Sequence, residues 1–120
     1  MNDMSLYAGL YEEIREFADL VDEVIVILKE DSSAKSPYAE QLGKKLVSLG
    51  TNKTEGVSQL FINQAIQRKS GLTKSKIQQL GNMLIEKQVS SSTIADLEKL
   101  AISIEQERVS VMSRMRGRKI

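Results

Sequence analysis

The stretch that decides the fold runs from Ile66 to Leu80 and reads I-Q-R-K-S-G-L-T-K-S-K-I-Q-Q-L. A helical run stops at Gly71, and after one apolar residue, Leu72, a new helix opens behind Thr73. Glycine suits the position just past a helix C-terminus because it takes the left-handed conformation without a Cβ clash. Thr73 offers a side-chain oxygen to the free backbone N–H groups of the next turn. Leu72 and Ile77 occupy the N′ and N4 positions of a hydrophobic staple, which sets the angle at which the chain enters the second helix. Three local rules thus predict a tight corner between two helices.

With its flanks, roughly residues 63–82, the corner resembles the helix-turn-helix motif of DNA-binding proteins. The spacing of Ile66, Gly71, Leu72, Ile77 and Leu80 carries the resemblance, with Thr73, Lys74, Ser75 and Lys76 opening the second helix. The resemblance implies that this second helix enters a major groove and that residues of its first turns meet base edges. One departure is Gln67, where the motif usually has a small residue, most often alanine. The competing reading is an ordinary helix–helix turn inside a bundle.

Upstream, Thr54 is placed to cap the helix that runs into the corner, with Val57, Leu60, Phe61 and Ala65 inward and Ile62 and Ile66 widening that face. Before it, Ser36 and Pro37 read as N-cap and N1, where proline's missing N–H costs nothing. Tyr38, Leu42, Leu46 and Leu49 give this helix an apolar face, Gly50 ends it, and Thr51 to Lys53 make a turn. Residues 31–35 read as a polar loop. From Tyr7 the apolar residues fall at Leu10, Ile14, Phe17, Val21, Val24 and Leu28, with steps of three and four and no slip. That heptad seam predicts a helix from about Ser5 to Glu30 and overrides the strand-like run V-I-V-I-L at 24–28. Glu12, Glu16, Asp19 and Glu23 fall on the solvated side. The apolar surface widens at Leu20, Ile25 and Ile27, so the helix is expected to pack on several others, in its own bundle or across a dimer. Leu10, Ile14, Phe17, Val21, Val24 and Leu28 are the residues expected to carry oligomerisation.

Downstream, the helix from Lys74 to about Gln88 buries Ile77, Leu80 and Leu84, and Gly81 sits in its middle. An interior glycine costs about 1 kcal/mol relative to alanine. It either marks the close approach of another helix or has no role. Thr93 with Asp96 three residues on resembles a capping box. A long last helix to about Met115 follows, with Ile94, Leu97, Ala101, Ile104, Val111 and Met115 as its stripe and Arg108 interrupting it. The tail R-M-R-G-R-K-I ends the sequence and is expected to be poorly ordered when free.

Composition narrows the chemistry. In 120 residues there is no cysteine, no histidine, one proline and little aromatic content. Disulfides, thiolate nucleophiles, the commonest general base and most zinc sites are excluded together. No apolar run matches a membrane span, no signal-peptide pattern opens the chain, and a cytoplasmic location is expected. Glu13-x-x-Glu16 fits half of the magnesium-holding pattern of all-helical pyrophosphohydrolases. Glu16-x-x-Asp19 falls on the same helix instead of a facing one, and a solvated face explains these acids better. No phosphate loop or catalytic triad is present. Neither catalysis nor a cofactor or metal is expected.

The net charge of +1 is unevenly spread. Residues 1–31 hold nine acids against two bases, −7, which leaves +8 for the remainder. Arg68, Lys69, Lys74 and Lys76 gather around the corner, and Arg114, Arg116, Arg118 and Lys119 crowd the end. Such cations supply phosphate contacts, and the scarcity of aromatics argues for duplex DNA over stacked single strands. The expectation is one all-α domain of about five helices. It comprises an acidic heptad helix at 5–30, a helical core at 37–113 and a basic tail at 114–120. Its expected function is duplex-DNA binding by a small homodimeric regulator or accessory protein. Lys74, Ser75, Gln78 and Gln79 would read bases, the arginines and lysines would grip phosphate, and Thr73 belongs to the same nucleic-acid-binding set. The alternative is a helical adaptor or assembly subunit with a protein partner and no nucleic-acid role. Where the second helix of the corner points decides between them.

Overall fold

The computed structural model describes residues 2–31, 36–50 and 57–117, with side chains described for 9–31, 36–49 and 64–114. The polar loop, the Thr51 turn, the Thr54 cap and the inner side chains of Val57, Leu60, Phe61 and Ile62 lie outside this range. So do the side chains of Tyr7, Met115, Arg116, Arg118 and Lys119. The described chain is all-α and folds as α1 (Asn2–Glu30), α2 (Pro37–Gly50), α3 (Val57–Ser70), α4 (Lys74–Ile85) and α5 (Ser91–Gly117). At about 1.5 Å per residue, the 29 residues of α1 span most of the molecule's 48 Å long axis.

α1 and α5 run antiparallel: Lys29 pairs with Glu98 at one end, and Arg108 donates to the Tyr11 hydroxyl toward the other. α3 lies against α5, and α4 packs mainly on α2. The seam of α1 is buried along its described length, from Leu10 through Ile14, Phe17, Val21 and Val24 to Leu28. It joins Leu42 and Leu46 of α2, Leu80 and Leu84 of α4, and Leu97, Leu100 and Ile104 of α5 in one core. These are the six residues expected to carry oligomerisation, and within the chain they face its own helices. The chain's own helices cover them, and a second copy could reach them only by displacing a neighbour. Heptad spacing reports a stripe that must be buried and is blind to whether the covering helix belongs to the same chain.

The α2–α4 contact turns on two glycines. A Cβ built on Gly81 would sit 2.6 Å from the Gly43 carbonyl oxygen and 2.8 Å from the Val47 backbone nitrogen. A Cβ on Gly43 would meet the Gly81 carbonyl oxygen at 2.8 Å. The mid-helix glycine therefore marks a close approach, backbone against backbone. Around it Ala39, Leu42, Leu46 and Leu49 form the buried stripe of α2, while Tyr38, expected to face inward, is exposed. Ala39 fits the register because it lies three residues before Leu42 on the same side of the helix.

Helix ends follow backbone hydrogen bonding more closely than composition predicts. Ser36 caps α2 by accepting from Tyr38 N–H at 3.1 Å. α4 stops at Ile85 instead of near Gln88. There Gln88 N–H donates to the Met83 carbonyl at 2.9 Å and Lys87 N–H to the Leu84 carbonyl at 3.3 Å. That is a Schellman closure, with Lys87 at φ 59° in the position usually held by glycine. The cap of α5 also differs from the Thr93–Asp96 expectation. Ser90 accepts from Thr93 N–H at 3.4 Å, and Thr93 Oγ1 accepts from Ser90 N–H at 3.2 Å. The capping box thus starts three residues earlier, with threonine at N3 in place of an acid. Asp96 is released to pair with cations instead.

Candidate nucleic-acid interface

The corner takes the local form its residues predict. Gly71 has φ 75°, and Thr73 is extended at φ −76° and ψ 164° with its side chain accepting from Lys76 N–H at 3.1 Å. Leu72 and Ile77 are both buried. The two helices that flank the corner then part company, because α3 leans on α5 and α4 on α2. α4 is therefore backed by the glycine contact with α2, a different support from the paired helices that the helix-turn-helix resemblance implies.

This support turns one polar face of α4 outward. Thr73, Lys74, Ser75, Gln79 and Asn82 are exposed, and Lys76 and Gln78 are half-buried. The sequence Lys74–Ile85 contains no acid. Such a face offers amide and hydroxyl groups of the kind that pair with base edges.

The cations divide into two sets. Lys76 Nζ lies 3.3 Å from Asp96 of α5, and Lys69 Nζ lies 3.0 Å from Glu107 Oε1 of α5. Both are already engaged inside the fold. Among the described residues no carboxylate comes within ion-pair distance of Lys74, Arg68 or Arg114. Arg68 and Arg114, far apart in sequence, come together with Gln64, Ala65 and Glu107 around a cleft of about 230 Å³ between α3 and α5. Arg116, Arg118 and Lys119 carry side chains outside the described range.

Glu107 is the residue that sequence reasoning missed. It is only 7% exposed, and its Oε1 is shut off from solvent. The contact with Lys69 is an ion pair by distance, although no hydrogen bond is directed along it. A signal was present: Leu97, Leu100, Ile104, Glu107 and Val111 follow steps of three and four, so Glu107 stands on the buried stripe. Arg108, expected to interrupt that stripe, lies beside it, bound to Tyr11 and Glu105. These contacts hold its guanidinium protonated more firmly than usual, the Glu105 hydrogen bond first.

Elsewhere the acids of α1 behave as a solvated face. Arg15 pairs with Glu12 at 2.8 Å and with Asp19 at 3.4 Å, and the hydrogen bond from Arg15 lowers the Glu12 carboxyl. Glu13 and Glu16 are exposed. Among the described residues no three potential metal ligands gather, and no helix is long and apolar enough to cross a membrane. No protein-family model, curated protein or solved structure matches the chain.

Proposed function

We propose that the protein binds duplex DNA through the outward face of α4. The observation that carries this reading is that Lys74, Ser75, Gln79 and Asn82 are exposed together on a helix without an acid. Lys74 supplies charge toward the phosphates, and Gln78 and Gln79 are the candidate base readers. Lys69 and Lys76 hold the fold beside that face, since their ammonium groups already have carboxylate partners. The test is selection of bound sequences from a random duplex pool, followed by Gln78→Ala and Gln79→Ala on the selected site. Loss of either amide should lower discrimination at one base pair by roughly 1–3 kcal/mol, and loss of the exposed Gln79 should leave stability within about 0.5 kcal/mol. An unenriched pool, or both variants binding as wild type does, would refute it.

A second reading, a helical adaptor, is favoured by a different observation. Ile102 is 61% exposed and Val109 47% exposed on one side of α5, and Val26 is 56% exposed on α1. In that case Ile102→Lys would abolish capture of a protein partner, and wild type would enrich no duplex from the random pool.

A further inference from the structure

We propose that the cleft between α3 and α5 is a phosphate-binding site, with Arg68 and Arg114 as the anion ligands and the Glu107–Lys69 pair as its floor. It deepens the duplex reading and rests on it only for the source of the phosphate.

The argument begins with charge. Glu107 carries a nearly fully buried carboxylate, which is costly unless a cation balances it, and Lys69 supplies that balance at 3.0 Å. With the floor neutralised, Arg68 of α3 and Arg114 of α5 border the cleft as two positive charges, with no carboxylate of the described residues at ion-pair distance. Like charges held together repel, so the arrangement favours an anion that both can share. Guanidinium groups are planar forks that match tetrahedral oxyanions through paired N–H donors. Gln64 adds an amide on the lining, and Ala65 leaves room between the helices. The volume of about 230 Å³ accommodates one phosphate with its ester substituent directed outward.

The proposal is tested on the full chain with two probes, inorganic phosphate and a short duplex. Phosphate titrated against chloride at constant ionic strength should move the amide resonances of Gln64, Arg68 and Glu107 together. Arg68→Ala combined with Arg114→Ala should weaken that binding at least about tenfold with an unchanged thermal midpoint, since both side chains are exposed. Lys44→Ala, on an exposed part of α2, is the control and should bind phosphate as wild type does. If the double variant also loses duplex affinity, with a salt dependence shallower by about one unit per lost contact, the phosphate belongs to a nucleic-acid backbone. If phosphate binding falls but duplex binding persists, or wild type binds no duplex at all, the site stands and its ligand is a free phosphorylated molecule. Shifts spread evenly over all the cations, or phosphate binding retained by the double variant, would overturn it.

Discussion

The α2–α4 contact and the α3–α5 cleft are both helix-on-helix interfaces, built in opposite ways. In the first, two glycines bring backbone against backbone, and leucines close the surroundings. In the second, a buried carboxylate, its lysine and two arginines hold a polar gap open. Close apolar packing contributes stability through contact and exclusion of water. A charged gap contributes little, because desolvation offsets much of the Coulomb attraction. The difference teaches where to look for function. The glycine contact fixes where α4 sits, and the cleft retains two arginines that no carboxylate of the described residues pairs with.

The largest expected effect breaks the tight side of that comparison. Gly81→Ala gains about 1 kcal/mol of helix propensity in isolation. Its new Cβ would fall 2.6 Å from the Gly43 carbonyl oxygen, a backbone atom that cannot move alone. Overpacking typically costs about 1–3 kcal/mol and more where the neighbour cannot yield, so the net result should be a loss of about 2–3 kcal/mol in urea denaturation. A neutral or stabilising outcome would mean that α2 and α4 are not held backbone against backbone at this point. On the proposed duplex reading, binding by any folded remainder should also fall, because α2 is what backs α4.

How much of this was legible in the sequence follows from which forces are local. The Gly71 corner, the Thr73 cap and the Pro37 start depend on a few adjacent residues, and the structure reproduces them. The five helices follow from apolar periodicity, which local sequence also carries. Partner choice is not local: nothing in the spacing of Leu10 to Leu28 says which helix covers them. Gly81 was legible as an oddity, but its meaning depended on Gly43, which only folding brings opposite. Glu107 carries no signal of its partner, and Asp96 reads as a capping residue, for a related reason. Their roles as counter-charges to Lys69 and Lys76 exist only once α5 lies beside the corner.

An intermediate effect probes the polar side. Lys69→Met removes the cation facing Glu107 and leaves a shielded carboxylate behind. Breaking a fully buried pair costs about 3–5 kcal/mol, and the 25% exposure of the Lys69 side chain reduces this to about 1–3 kcal/mol. Adding Glu107→Met should restore most of the loss, since a matched apolar pair needs no desolvation. Calorimetric melts of the single and double variants check this. A single variant as stable as wild type would show that solvent reaches Glu107 and that the cleft floor is not held by the pair.

The smallest effect sharpens the contrast by moving to charges on an open rim. Asp22 lines the shallow groove between α1 and α5 together with Glu105. The carboxyl of Asp22 is raised above its ordinary value, first by partial desolvation and then by repulsion from Asp19 and Glu105. Glu105 is lowered instead, chiefly by its hydrogen bond from Arg108. The two therefore act on stability with opposite signs. Between the ordinary aspartate value and its raised folded value, Asp22 holds more proton in the native state than in the unfolded chain. Its share of stability is thus present at low pH and is lost as pH rises through that window. The Glu105 share is present above the ordinary glutamate value and is lost as pH falls through the lowered one. Asp22→Asn should accordingly stabilise the protein slightly at neutral pH, by no more than about 0.5 kcal/mol because solvent screens the site, and should do nothing once Asp22 is protonated in both states. Urea midpoints of wild type and Asp22→Asn, measured from acid to neutral pH, would reveal the divergence. Parallel curves throughout would mean that water screens the groove completely, leaving the α3–α5 cleft as the polar region whose charges the fold itself feels.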